Sequence, residues 1–297
     1  MLGTIGLFLR STDNDYQRRL KEVAQHEAEQ HSFKLVVESA QFDTARQVAQ
    51  IRAAIKKAAA TNLAAILVSG VQDEELRPVA CEAAEAGVDW ALLNEGAFID
   101  DVRSKYPNRA IFAVASDQVE IGRIHAQQVH ALLGDSGRVL CVTGHLRNLS
   151  AVQRLDGLRQ GLASGFEIVE LNGDWTSERA RMAVAKWSSG IASQADLPGM
   201  FVAHNDEMAL GVRQALRDFD SQRSLPVGGA PITGCDGSQT FGQRLVREGR
   251  LKATVIMPPS SGLAIEWIAR VRKDGELPPV RVKLPVTSFP DLSSLKS

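Results

Sequence analysis

The sequence predicts an α/β fold of two similar doubly wound lobes, each built on a parallel sheet with helices on both faces. Three observations carry this. Short apolar, β-branched runs alternate with longer amphipathic stretches almost from end to end. The runs are near-continuously apolar, which is the pattern of strands buried on both faces. The series is also used twice, once from about Thr4 to Asp117 and again from about Gly137 to Asp236.

In chain order, the expected strands are 4–9, 33–37, 64–68, 89–93, 110–115, 138–143, 166–171, 200–203, 232–235, 253–257 and 280–286. Helical patterns lie between most of them. Val48, Ile51, Ile55, Ala58 and Ala59, for example, form an apolar stripe at the helical period. No low-complexity linker separates the two series; Pro107-Asn108 and the next apolar run mark the break. The tail is different, with Pro258-Pro259, a helix around 261–273, then Pro278-Pro279 and Pro285. A proline-punctuated tail after two complete series implies a chain that passes back between lobes. The expected lobes are 1–117 plus 258–283 and 118–257 plus 284–297, with one large twisted sheet as the alternative.

The composition agrees with this. A chain of 297 residues suggests about two domains. With 34 Lys plus Arg against 35 Asp plus Glu, the net charge of −1 argues against a dedicated nucleic-acid binder. No apolar run approaches the roughly 18 residues that span a bilayer. Cys81, Cys141 and Cys235 are far apart and odd in number, so they form no disulfide framework and read as small buried hydrophobes. The apolar run at the N-terminus is too short for a signal peptide, so a leader removed upstream or a cytoplasmic location is expected.

The common catalytic signatures are missing. There is no Gly-rich dinucleotide or phosphate loop, no nucleophile elbow and no calcium loop. The nearest metal motif runs from His26 to His31, but the second His is five residues on, which turns it off the face of the first. No metal and no cofactor are expected.

In a doubly wound sheet, ligands bind beyond the carboxyl ends of the strands. Arg10, Ser11, Asp13, Asn14 and Tyr16 come after the first strand, Ser69-Gly70 after the third, Asn94-Glu95 after the fourth and Ser116-Asp117-Gln118 after the fifth. In the second series Gly144-His145 and then Arg154 come after the first strand, Asp174-Trp175 after the second, Asn205-Asp206 after the third and Asp236 after the fourth. Such planar hydrogen-bonding groups grip neighbouring sugar hydroxyls in pairs, and an aromatic ring takes the apolar face of a sugar. Helix N-caps for Asp117 and Asp206, and packing roles for Tyr16 and Trp175, are the alternatives.

Three segments carry a family resemblance: the run Asn205 to Gly211, then Gly234-Cys235-Asp236-Gly237, then Gly249 to Thr254. With the opening segment through Asn14 and Tyr16 and with Ala115-Ser116-Asp117, the chain resembles the type I periplasmic sugar-binding proteins over essentially its whole length. Within that family it is similar to the ribose-binding proteins, and the ligand-binding domains of lactose-repressor-type regulators are related. The resemblance implies a two-lobed fold joined by a multi-strand hinge, with ligand contacts from Asn14, Tyr16, Arg154, Trp175, Asn205 and Asp236. Trp175 stands where the family has a stacking Phe. The chain departs from the pattern at Asn94-Glu95 in place of an Asp-Arg pair, at Gln118 in place of Asn and at Met257 in place of Gln. Arg10 is then expected to compensate for the missing Arg. Another sugar, a polyol or a derivative with a cationic group therefore stands beside ribose.

The implied mechanism is closure of the lobes on the ligand about crossings near Asp117, Met257 and Leu284. An ABC transporter permease or a chemosensory receptor is the implied partner, and a periplasmic monomer that is not an enzyme the implied state. The alternative is the effector domain of a transcription regulator without its DNA-binding headpiece.

Overall fold

The computed structural model describes residues 2–72, 74–162, 164–191, 193, 196–222 and 229–295. The chain divides into two compact units, Met1–Ser116 with Pro259–Leu284 and Asp117–Pro258 with Pro285–Ser297. It therefore passes from one unit to the other three times, after Ser116, Pro258 and Leu284.

The first unit holds β1 (Gly3–Leu9), β2 (Phe33–Ser39), β3 (Leu63–Val68), β4 (Asp89–Leu92), β5 (Ile111–Ser116) and β11 (Arg281–Leu284). They form one sheet in the order β11-β5-β4-β3-β1-β2, every pair parallel. Side chains alternate across a strand, so one sequence feeds two cores. Ile5, Leu7 and Leu9 of β1 pack with Leu20 and Ala24 of α1 (Asp15–Gln30) and with Ile265 and Ile268 of α11 (Ser261–Asp274). Phe8 points the other way. It joins Ile51 of α2 (Thr44–Lys56), Val79 and Ala83 of α4 (Leu76–Glu85) and Val102 of α5 (Ile99–Lys105). The expected stripe from Val48 to Ala59 is broken, because α2 ends at Lys56 and a short α3 (Ala58–Thr61) succeeds it, closed by Asn62 in the left-handed region. Arg272 anchors the returning α11 to the sheet, lying 3.6 Å from the buried Asp89 carboxylate and donating to the Ala64 carbonyl at 2.8 Å.

The second unit repeats the plan with β6 (Gly137–Thr143), β7 (Phe166–Asn172), β8 (Met200–Ala203), β9 (Ile232–Asp236), β10 (Ala253–Ile256) and β12 (Thr287–Phe289). The order is β12-β10-β9-β8-β6-β7, parallel except for β12, which runs antiparallel to β10. That edge strand lies outside the run expected at 280–286. One face is covered by α6 (Gln118–Leu133) and α7 (Leu149–Gly161), the other by α8 (Ser177–Ser188), α9 (Asp206–Gln222) and α10 (Gly242–Arg247). Helices α6 and α7 approach closely because glycines meet there. A Cβ on Gly157 would lie 2.0 Å from the Val119 carbonyl, and one on Gly122 2.1 Å from that of Arg154. This brings Gln118 at the start of α6 to Arg154 on α7. Asp117 caps α6, accepting from the Glu120 amide at 3.1 Å.

Both sheets change direction at the same place, between their first and third strands. The switch points are β1/β3 in the first unit and β6/β8 in the second. Open α/β sheets hold ligands outside the carboxyl ends of the strands at such points.

Candidate functional site

At the β1/β3 switch, Arg10 Nε donates to Ser69 Oγ at 3.3 Å, and Gln17 Nε2 donates to the same oxygen at 3.0 Å. Gln47 holds the loop after β3 in place. Its Nε2 donates to the Ser69 carbonyl at 3.0 Å and its Oε1 accepts from the Val71 amide at 3.0 Å. Asn94 fixes the next loop, accepting from the Gly70 amide at 3.1 Å and donating to the Glu95 carbonyl at 3.1 Å. Asn14 caps α1, its Oδ1 accepting from the Gln17 amide at 2.9 Å. Tyr16 packs partly buried against the apolar layer beneath α1.

Glu95 has an ion-pair partner that the sequence pattern did not reveal. Arg281, at the start of β11, donates to its carboxylate at 3.0 Å, donates to the Gly96 carbonyl at 3.0 Å and pairs with Asp100. The cation beside Glu95 thus comes from the returning tail, while Arg10 is seen bonding Ser69. Its position in a proline-rich stretch hid it.

The second unit gathers more of the candidates. Arg154 is 2% exposed. Its Nε donates to Gln118 Oε1 at 3.1 Å, its Nη1 donates to the His204 carbonyl, and its Nη2 lies 3.9 Å from Met257 Sδ. Its guanidinium sits 5.7 Å from the centre of the Trp175 ring, within cation–π range. Its polar partners among the described residues are all neutral. Met257 also receives the Gln118 amide, at 3.9 Å. Four candidates far apart in sequence therefore meet at one guanidinium.

Asn205 caps α9, its Oδ1 accepting from the Met208 amide at 2.8 Å, while its Nδ2 donates to the Trp175 carbonyl at 3.1 Å. The backbone of this region is strained. Asp174 (φ +49°), Trp175 (φ +64°) and Asp236 (φ +103°) all lie in the region that favours glycine. Such residues cost of order 1–3 kcal/mol each and cluster at functional sites. Asp236 is buried at the end of β9, its carbonyl accepting from the Met257 amide at 3.2 Å.

Asp206 is not a cap. Its fully buried carboxylate accepts from the Gly237 amide at 2.9 Å and the Thr254 hydroxyl at 2.7 Å, binding α9 to β9 and β10. Gly234 and Gly242 make room for it, since a Cβ on either would lie 2.2 or 2.0 Å from a carboxylate oxygen. Met208 and Ala209 enter the core, and Gly211 lets α9 close on α8, where a Cβ would meet the Ser177 carbonyl at 2.1 Å. The run Asn205 to Gly211 is therefore mostly architecture.

Two histidines lie below the site. Burial and the Arg154 charge hold His204 well below the ordinary imidazole range. The same causes, burial first, lower His125 to about 3, and its Nδ1 sits 3.2 Å from Gln128 Oε1. Unfolded imidazoles titrate near 6.5. The stability carried by keeping both neutral is therefore complete above that pH and is lost as pH falls from there toward the folded values. The slope is about 1.4 kcal/mol per pH unit for each fully shifted imidazole. Urea midpoints are expected to drop between about pH 7 and about pH 5, less steeply in His125→Gln. Equal slopes in parent and variant would remove His125 from this account. The buried Cys141 and Cys235 thiols are both pushed up to about 12, chiefly by burial, and so stay protonated. Among the described residues no group of three His, Cys, Asp or Glu is arranged for a metal, and no helix is long and apolar enough to cross a membrane. His31 closes the C-terminal end of α1, 3.8 Å from Glu27.

Strand-end side chains at the switch points of two doubly wound sheets define a class of small-molecule binding proteins. The family model described as "Periplasmic binding protein domain" matches residues 5–273, and the chain belongs to this family. It is 27% identical over 286 residues to the ribose import binding protein RbsB of Haemophilus influenzae, covering 95% of this chain and 89% of that protein. It is 28% identical over 267 residues to a xylitol-binding protein of Mycolicibacterium smegmatis, covering 88% and 70% of the two chains. Among solved structures, an ABC transporter periplasmic solute-binding protein from Actinobacillus succinogenes with bound D-allose superposes with a TM-score of 0.83. It is 20% identical, and the match covers 98% of each chain.

Proposed function

We propose that this chain captures a neutral sugar or polyol and presents it to an ABC transporter permease. The observation that carries this is Arg154, a buried guanidinium with only neutral partners among the described residues, lying beside the Trp175 ring at the β6/β8 switch. A guanidinium fork bridges adjacent hydroxyls, and the ring offers an apolar face to the C–H side of the same molecule. The two relatives named for ribose and xylitol support this class of ligand. The name of the ribose relative, an import binding protein, favours import over the regulator reading.

Asn14, Tyr16, Ser69, Asn94, Arg10 and Glu95 in the first unit, and Gln118, Arg154, Trp175, Asn205, Asp236 and Met257 in the second, are proposed as the residues that face the ligand. Contacts drawn from both sets would favour a closed state by differential binding. Capture without turnover, a periplasmic location and a monomeric state belong to the same proposal.

The test is a thermal-shift screen against neutral pentoses, hexoses and pentitols, with D-ribose and xylitol included. A ligand at 100 times its dissociation constant adds about 2.7 kcal/mol of stability. At least one neutral compound is expected to raise the melting temperature and to be recovered unchanged. A screen in which none does so would defeat the proposal.

A further inference from the structure

We infer that His204 is a positioning residue for the ligand site, acting through the Gly144 amide. The inference rests on the binding reading above and names a residue outside the set proposed to face the ligand. His204 comes directly after β8 and Gly144 directly after β6, so the two meet at the switch point of the second sheet.

The Gly144 N–H donates to His204 Nδ1 at 3.2 Å. An acceptor at Nδ1 places the ring proton on Nε2. That nitrogen sits 3.7 Å from Cys141 Sγ, a thiol that burial keeps protonated. The ring is thus held at both nitrogens, and its backbone carbonyl accepts from Arg154 Nη1.

Gly144 passes the constraint on to Trp175. A Cβ on Gly144 would lie 2.1 Å from Trp175 Cε2 and 2.2 Å from Cζ2, so the indole rests directly on this backbone. The His204 and Trp175 ring centres are 6.1 Å apart. One histidine therefore fixes the floor under the stacking ring and, through its carbonyl, one arm of the guanidinium above it. The backbone at Trp175 is in the left-handed region, which persists only where its surroundings hold it. The Gly144–His204 bond is part of that support.

The experiment replaces His204 with Asn, Gln and Leu in the full chain. Asn carries its amide oxygen where Nδ1 stands and can still accept from Gly144. Gln reaches instead toward the Nε2 position, and Leu accepts nothing. Two readouts are taken: hydrogen exchange of the Gly144 amide without ligand, and dissociation constants for D-ribose and xylitol. In H204L and H204Q the amide is expected to exchange at least about tenfold faster, and affinity to fall by about tenfold or more, as for one lost hydrogen bond. H204N should stay within about threefold of the parent in both. Gly144→Ala leaves His204 in place but displaces the indole, and should weaken binding and shift Trp175 emission. Unchanged exchange in H204L, or a loss in H204N equal to that in H204L, overturns the inference. If no compound of the thermal-shift screen binds the parent chain, the binding reading fails, while the exchange readout still decides whether His204 holds the Gly144 amide.

Discussion

Asp206→Ala is expected to lower the stability of the second unit by about 3–4 kcal/mol. The carboxylate is fully buried, and its two oxygens take the Gly237 amide and the Thr254 hydroxyl. Removing it leaves both donors in a dry interior without acceptors. Each then bears the cost of an unmade bond, about 1–3 kcal/mol, and the vacated volume adds a cavity cost. The surroundings have little means to collapse, because the backbones at Gly234 and Gly242 are already shaped around the missing oxygens. For a unit of this size the melting temperature should fall by roughly 6–16 °C at about 2–4 °C per kcal/mol. Asp206→Asn keeps the shape and an acceptor for the Gly237 amide, but its amide group makes the Thr254 hydroxyl accept and leaves that hydroxyl's proton without its partner, so its loss should be intermediate. Melting followed by circular dichroism checks both. An Asp206→Ala protein that melts with the parent would mean that the Asn-Asp run is not architecture.

The contrast between that run and Arg154 shows what the sequence could and could not disclose. All eleven expected strands are present, because strands buried on both faces leave near-continuous apolar runs such as Leu63–Val68, where every residue is buried. The twelfth, Thr287–Phe289, was not legible. It is three residues long, half exposed, flanked by Pro285 and Pro290, and formed by antiparallel pairing that no local period announces. The break at Lys57 was equally hidden, since the apolar stripe continues across it while the backbone does not.

The candidate site was legible as single positions and illegible as a constellation. Position relative to the strand ends singled out Gln118 and Arg154, and the family resemblance singled out Met257, each separately. Their meeting depends on contacts spanning 36 to 139 residues and on the close approach of α6 and α7 at Gly122 and Gly157. Arg281 and His204 carried no signal of their own. One lies in a tail with the pattern of a connection, the other beside a more conspicuous Asn-Asp pair. Gln17 and Gln47, which hold the β3 loop, are uncharged and buried, and nothing in the chain marks them from other glutamines.

Arg154→Ala is expected to abolish ligand binding while leaving the fold in place. Its environment is unlike that of Asp206. The Asp206 carboxylate is held by donors from β10 and from the residue after β9, whereas the Arg154 guanidinium has only neutral partners among the described residues. A buried cation without an opposite charge carries a desolvation cost that is only partly offset by such partners. Truncation removes that cost along with the bonds to Gln118 and His204, so the two changes oppose each other and apo stability should move by no more than about 1–2 kcal/mol. Binding has no such compensation. A ligand hydroxyl that relied on the fork is left against an apolar gap, and the face of Trp175 loses its cationic neighbour. Affinity for the best sugar of the thermal-shift screen should fall at least about a hundredfold, equivalent to about 2.7 kcal/mol. Arg154→Lys keeps the charge but loses the planar fork, since one ammonium cannot reproduce the bonds to Gln118 and to the His204 carbonyl together. It should retain native circular dichroism and bind at least about tenfold more weakly. Calorimetry with both variants settles the assignment: parent-like affinity in Arg154→Ala would remove this guanidinium from the ligand site, and melting as early as Asp206→Ala would make it architecture instead.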